Sequence, residues 1–321
     1  MRNNSLDILK FICAILVIFI HTPQPISIEL IIDPLQRCAV PIFFIISGYF
    51  TLNRPNLNKV LANRINSIVK IICWALALYL TNHIIHHQSI DIINTIILNI
   101  KNLVFCNNIL YGEHLWYIHA YLYVLIIFWM TNKYNSLKFL VYITPILIIA
   151  GLYLGKYHEM ITGNQCPVYY SRNFLFTGLP FYILGILIKK NETLINQRIS
   201  KNIVIVGAIA FLTMGSIEEL AFNLYNKSGD LYISTAFTAV ALFIFFLRIK
   251  CEKENFITRI GKNDSLYLYI LHVFFFNEIF FLITELGYEE LLQYISIIIT
   301  PIITIVFIRI LRKFQIIGKL I

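Results

Sequence analysis

Long apolar runs, each close to the thickness of a bilayer and each closed by a short polar joint, follow one another along the whole chain. A helix needs about 20 mostly apolar residues to cross the hydrocarbon core. The pattern predicts spans near 6–22, 36–53, 66–82, 115–131, 138–154, 173–188, 202–217, 231–248, 265–283 and 292–309. The joints carry turn signals, among them Thr22-Pro23-Gln24-Pro25, Asn53-Arg54-Pro55-Asn56 and Asn226-Lys227-Ser228-Gly229-Asp230. Residues 90–106 read differently: their apolar positions recur at helical spacing, but Asp91, Asn94, Asn99 and Lys101 interrupt them. That stretch is expected to lie on the outer surface or to re-enter. The expected fold is all-α, a polytopic membrane helical bundle of about ten transmembrane helices, with residues 1–321 forming one integral-membrane domain.

Composition supports lipid as the solvent. Of 321 residues, 58% are hydrophobic and only 13% charged, and the mean hydropathy is +0.74. A soluble domain carries roughly a quarter charged residues. Charge then orients the bundle. With the amino terminus inside, all but five of the 26 Lys and Arg fall in cytoplasmic segments, the exceptions being Arg37, Lys101, Lys156, Arg172 and Lys227. This is the positive-inside bias, and it puts both termini in the cytoplasm of a multi-pass protein of the inner (cytoplasmic) membrane. The net charge of +9 thus belongs to short loops beside lipid headgroups. No zinc-finger spacing or basic, aromatic-interleaved soluble face points to nucleic acid. None of the six Cys lies in a C-x-x-C. Cys106 and Cys166 share the outer side, where spacing alone leaves their pairing open. His83, His86 and His87 adjoin no Cys or carboxylate at ligand spacing, so no metal site is expected.

Ionisable residues inside spans are costly, which makes them functional candidates. The first span reads Leu6-Asp7-Ile8-Leu9-Lys10, then ten residues, then His21. At 100° per residue, Lys10 and His21 come within about 20° of one helix face, about 16 Å apart in depth. A snorkelling lysine and an interfacial histidine explain the same pattern. The second span opens Arg37-Cys38-Ala39-Val40-Pro41 and continues to Ser47-Gly48-Tyr49-Phe50. Pro41 suits a first helical turn, and Ser47-Gly48 suits a close helix contact.

A basic residue, ten residues and a His, followed by Arg-x-x-x-Pro-x-Phe-Phe-x-x-Ser-Gly-Tyr, resembles acyltransferase family 3, membrane O-acyltransferases that modify bacterial surface glycans. Three later segments are also similar to that family: His114-Leu115-Trp116-Tyr117, Gly178-Leu179-Pro180-Phe181-Tyr182-Ile183-Leu184-Gly185 and Tyr267-Leu268-Tyr269-Ile270-Leu271-His272. The chain departs from the pattern twice. Lys10 stands where Arg is usual, and Arg64 is followed by Ser67 where a second Arg, three residues on, is common.

The resemblance implies transfer of an acyl group, most often acetyl, from cytoplasmic acyl-CoA to a hydroxyl of a surface glycan or its lipid-linked precursor. Acetyl-CoA is then a donor substrate, and no permanently bound cofactor is expected. It implies His21 as general base and Arg37 as a second catalytic residue. Lys10, Arg64 and Lys70 are assigned to the coenzyme, and His114, Trp116 and His272 to the acceptor. The chemistry agrees with the division: a sugar hydroxyl needs a base near neutral pKa, and inner Lys and Arg suit the coenzyme's phosphates. A covalent acyl-His route stays open. A secondary transporter or flippase of the same topology is the alternative, although no two-fold repeat is evident.

Overall fold

The computed structural model describes residues 3–52, 55–86, 97, 100, 112–134, 136–223, 231–249, 251–285 and 287–314. Among them there is helix and no strand. The helices are α1 (Asn4–Ile20), α2 (Ile26–Arg37), α3 (Ala39–Tyr49), α4 (Leu57–His86), α5 (Trp116–Lys133), α6 (Leu137–Leu154), α7 (Lys156–Thr162) and α8 (Leu179–Lys190). They continue with α9 (Glu192–Arg198), α10 (Lys201–Asn223), α11 (Ile233–Arg248), α12 (Phe256–Asn263), α13 (Ser265–Glu285) and α14 (Glu289–Lys313). Seven of the described helical segments are long and apolar enough to cross a membrane: Ile31–Tyr49, Leu57–Ile85, Glu113–Lys133, Leu137–Leu154, Lys201–Phe222, Ser265–Glu285 and Tyr294–Lys313. The other three expected places are helical but shorter: α1, α11 and the rod over 174–190. Of the expected surface helix at 90–106 only Ile97 and Ile100 are described, both helical and exposed; the rest of it, Cys106 included, lies outside the described residues.

Two boundaries move. The second span does not open at Arg37: helix runs from Ile26 to Arg37, pauses at Cys38 and resumes at Ala39. Pro41 has no N–H to give the Arg37 carbonyl four residues back, which loosens the ladder at that point. The Cys38 amide turns to Leu35 O at 3.1 Å, and its thiol donates to Pro34 O at 3.2 Å. The third span begins earlier than expected, because α4 is a single helix from Leu57. Arg64 therefore sits within regular helix and not in a joint.

The chain divides into two compact units. The first comprises Met1–Phe43, Thr193–Tyr225 and Tyr232–Lys319, and the second centres on Phe44–Glu192. In the first, α1 packs on α12, α13 and α2, α10 on α11 and α2, and α13 on α14. The base of α1 is fastened by side-chain amides: Asn3 Nδ2 donates to Leu247 O at 3.3 Å and Asn4 Nδ2 to Cys251 O at 3.1 Å. Gly261 lets α12 touch α1, since a Cβ there would fall 1.8 Å from Asp7 O. In the second unit α4 packs on α5, and α5 and α6 pack on the π turn Phe174–Gly178 that leads into α8.

Candidate functional site

In the first unit, α1 stops where the sequence requires. Thr22-Pro23 cannot continue a helix, because proline pushes the residue before it out of the α region. His21 is the first residue past α1, its amide held by Ile18 O at 3.1 Å. Its ring lies 5.1 Å from that of His272 on α13, tilted by 47°. His272 is fully buried, with Nδ1 3.1 Å from Leu268 O. A carbonyl can only accept, so that nitrogen carries the proton and Nε2 carries the lone pair. The two histidines that the sequence assigned to separate roles are neighbours.

Arg37 ends α2, and its partner lies one turn back. Asp33 Oδ1 accepts from Arg37 Nε and Nη2, both at 2.8 Å. Asp33 Oδ2 accepts from the hydroxyl of Tyr232 at 2.9 Å. Asp33 and Tyr232 are buried. A carboxylate with both oxygens engaged holds the guanidinium in one orientation. Two glutamines tie this turn to the end of α1: Gln24 Nε2 donates to Phe19 O, and Gln36 Nε2 donates to Gln24 Oε1 at 3.0 Å. The His21 end of α1 and the Arg37 turn of α2 are thus linked through the side chains of Gln24 and Gln36. Near the other end of α1, Lys10 Nζ meets buried Asp7 at 3.1 Å.

In the second unit, Arg64 Nη1 donates to Thr51 Oγ1 at 3.2 Å. The Thr51 hydroxyl proton goes to Ser47 O at 2.7 Å, so at the 2.8 Å contact the Tyr182 hydroxyl is the donor. Thr51 thereby accepts twice and fixes Arg64. Arg64 lines a cavity of about 370 Å³ with Val60, Asn63, Ser67, Ile68 and Tyr121. Lys70 is exposed and, six residues on, lies about 120° round the helix from Arg64. The residues lining that cavity do not include Lys70. His114 is buried with its ring 4.7 Å from that of Tyr79, and the Arg172 guanidinium lies 5.9 Å over the Trp116 ring.

Sequence reasoning gave no role to Asp33, Tyr232, Thr51, Tyr182 or His119. Asp33 stands four residues before Arg37, a spacing that pairs acid and base on a helix, and would have been found had the helix been started earlier. Tyr232 is 199 residues from Asp33, and nothing local marks it. His119 is buried, its Nδ1 2.9 Å from Leu115 O and its Nε2 without a hydrogen-bond partner among the described residues.

The chain is 25% identical over 283 residues to an amino-acid racemase of Enterococcus faecalis, covering 82% of this chain and 38% of that protein. It is 24% identical over 332 residues to a serine/alanine racemase of Enterococcus gallinarum, covering 94% of this chain and 45% of that protein. The chain thus spans less than half the length of the curated relatives it matches. No solved structure matches. The profile of acyltransferase family 3, described as an acyltransferase domain, matches residues 3–310. With that match over nearly its whole length, the chain belongs to acyltransferase family 3, a family of membrane acyltransferases.

Proposed function

We propose that this acyltransferase moves an acyl group, acetyl in the first instance, from cytoplasmic acyl-CoA to a hydroxyl of a cell-surface glycan or its lipid-linked precursor. The observation that carries this reading is the end of α1, where the His21 ring lies against His272, whose proton is committed to a backbone carbonyl. His21 takes the hydroxyl proton as the sugar oxygen bonds to the thioester carbon. Arg37, aligned by Asp33, steadies the oxyanion. Collapse breaks the carbon–sulfur bond, and the departing thiolate takes the proton back from His21. His272 offers Nε2 as an acceptor beside the protonated His21. Lys10 and Arg64 serve the donor's phosphates, and His114 and Trp116 the acceptor. Both ends of the chain lie in the cytoplasm in this reading, and the ten helical places span the bacterial inner membrane.

The racemase names belong to proteins more than twice the length of the matched region, and racemisation is not proposed for this chain. Purified protein incubated with radiolabelled acetyl-CoA and a glycan fraction tests the reading. Label in the glycan is the expected result. Label retained in the coenzyme, with glycan or lipid-linked sugar moved across vesicles, would instead support the transporter or flippase.

A further inference from the structure

In the first unit, the junction of α12 and α13 holds two arginines against one carboxylate. Asp264 is the residue between the two helices and is buried. Arg312 donates from Nε to its Oδ1, and from Nη2 to Asn263 O at 2.7 Å. It thereby covers the carbonyl end of α12, a structural task. Arg309, one turn earlier on α14, brings Nη2 only to 4.0 Å from Asp264 Oδ2. Arg309 Nε and Nη2 are shut off from solvent and make no hydrogen bond among the described residues. Its guanidinium lies 5.3 Å over the ring of Phe256, itself 60% exposed.

One carboxylate balances one guanidinium, so the cluster keeps a surplus of one positive charge. The neighbouring charges do not remove it. Lys262 is paired with Glu254 at 3.1 Å, and Lys10 with Asp7 at 3.1 Å, while Arg259 and Lys313 are exposed cations. The surplus falls on Arg309, whose donors are the less engaged. A guanidinium with unmet N–H groups, partly out of water, is costly unless an anion completes it. Nε and Nη2 are enclosed, but the side chain is still 39% exposed, so an anion can meet the guanidinium on its open side and offset the surplus charge there.

We propose that Arg309 is an anion subsite that takes a phosphate group, with Asp264 and Phe256 setting the plane of its guanidinium. Two sources carry that chemistry at a membrane rim: the donor coenzyme and a phospholipid headgroup. The coenzyme source rests on the acyl-CoA reading above, and the headgroup source does not. The test uses the full chain in nanodiscs and reads binding without turnover, so the subsite and the transfer reaction fail separately. Coenzyme A is titrated into discs of phosphatidylcholine, and melting is followed in discs with and without phosphatidylglycerol. Charge-assisted hydrogen bonds worth about 1.5–3 kcal/mol correspond to roughly ten- to hundredfold in affinity. Arg309→Gln should therefore weaken coenzyme A by at least about tenfold, or abolish the rise in melting temperature given by phosphatidylglycerol. The first result identifies the coenzyme and the second the headgroup. Arg309→Lys should recover part of whichever effect is lost, and it also serves if the glutamine variant does not fold. Arg312→Gln should lower the melting temperature in every disc. A folded Arg309→Gln or Arg309→Lys protein with native coenzyme affinity and a native lipid response would overturn the proposal.

Discussion

A histidine just past the last turn of a helix is held by its backbone and still has a choice of where its ring points. The His21 ring packs against that of His272, and the Arg37 guanidinium is held by Asp33. His21 and Arg37 stood out as candidates because ionisable groups at the end of an apolar run are few, and the family resemblance lent them their proposed roles. Their partners were less legible. Asp33 needed the true start of α2, and Tyr232 comes from a distant helix that only folding brings near. The Tyr232 hydroxyl has a definite task, since it occupies the Asp33 oxygen that Arg37 does not use. Tyr232→Phe removes a hydrogen bond to a carboxylate, worth about 1.5–3 kcal/mol. If Asp33 positions Arg37, acyl transfer should fall about tenfold or more, with coenzyme affinity unchanged. Equal rates in the two proteins, measured with saturating donor, would show that the tyrosine only fills space.

Glycine and proline decide where the elements touch and where they pause. In the second unit α3 crosses α8 through Gly48 and Gly185. A Cβ at Gly48 would lie 1.9 Å from Tyr182 O, and one at Gly185 2.1 Å from Ile45 O. The expected close contact at Ser47-Gly48 is therefore present, but the helix it meets could not be read from local pattern. The same crossing carries Thr51 and Tyr182, which hold Arg64. Gly48→Ala should destabilise the protein by about 1–3 kcal/mol, the usual cost of overpacking, and loosen Arg64 with it. The thermal midpoint in detergent measures the first effect and coenzyme affinity the second. An unshifted midpoint would mean that the helices part at no cost. Several helix boundaries were legible, as after His21, where proline ends the run, and at α6, expected at 138–154 and found at Leu137–Leu154. At Cys38 and at the start of α4 the pattern placed them several residues off, because polar residues near a membrane rim continue a helix as readily as they end it.

For the whole molecule, apolar content and helical spacing made the all-α membrane class legible, and helices occupy all ten expected places. Length and hydropathy alone qualify seven of them. The proposed ten-span arrangement rests on the Lys and Arg alternation. A reporter fused after Asn164 should then lie outside the membrane, and reporters after Pro55 or Asn191 inside; an outside signal at Asn191 would break that arrangement. The division of labour within it makes His21 the base and the inner cations the donor site. The most direct test compares wild-type protein with His21→Ala in the same membranes, reading coenzyme binding and transfer of label from radiolabelled acetyl-CoA side by side. Loss of a general base costs about 10²–10⁴ in rate. Transfer should fall by that order while coenzyme A binds as before, whereas transfer by His21→Ala at close to the wild-type rate would contradict the account.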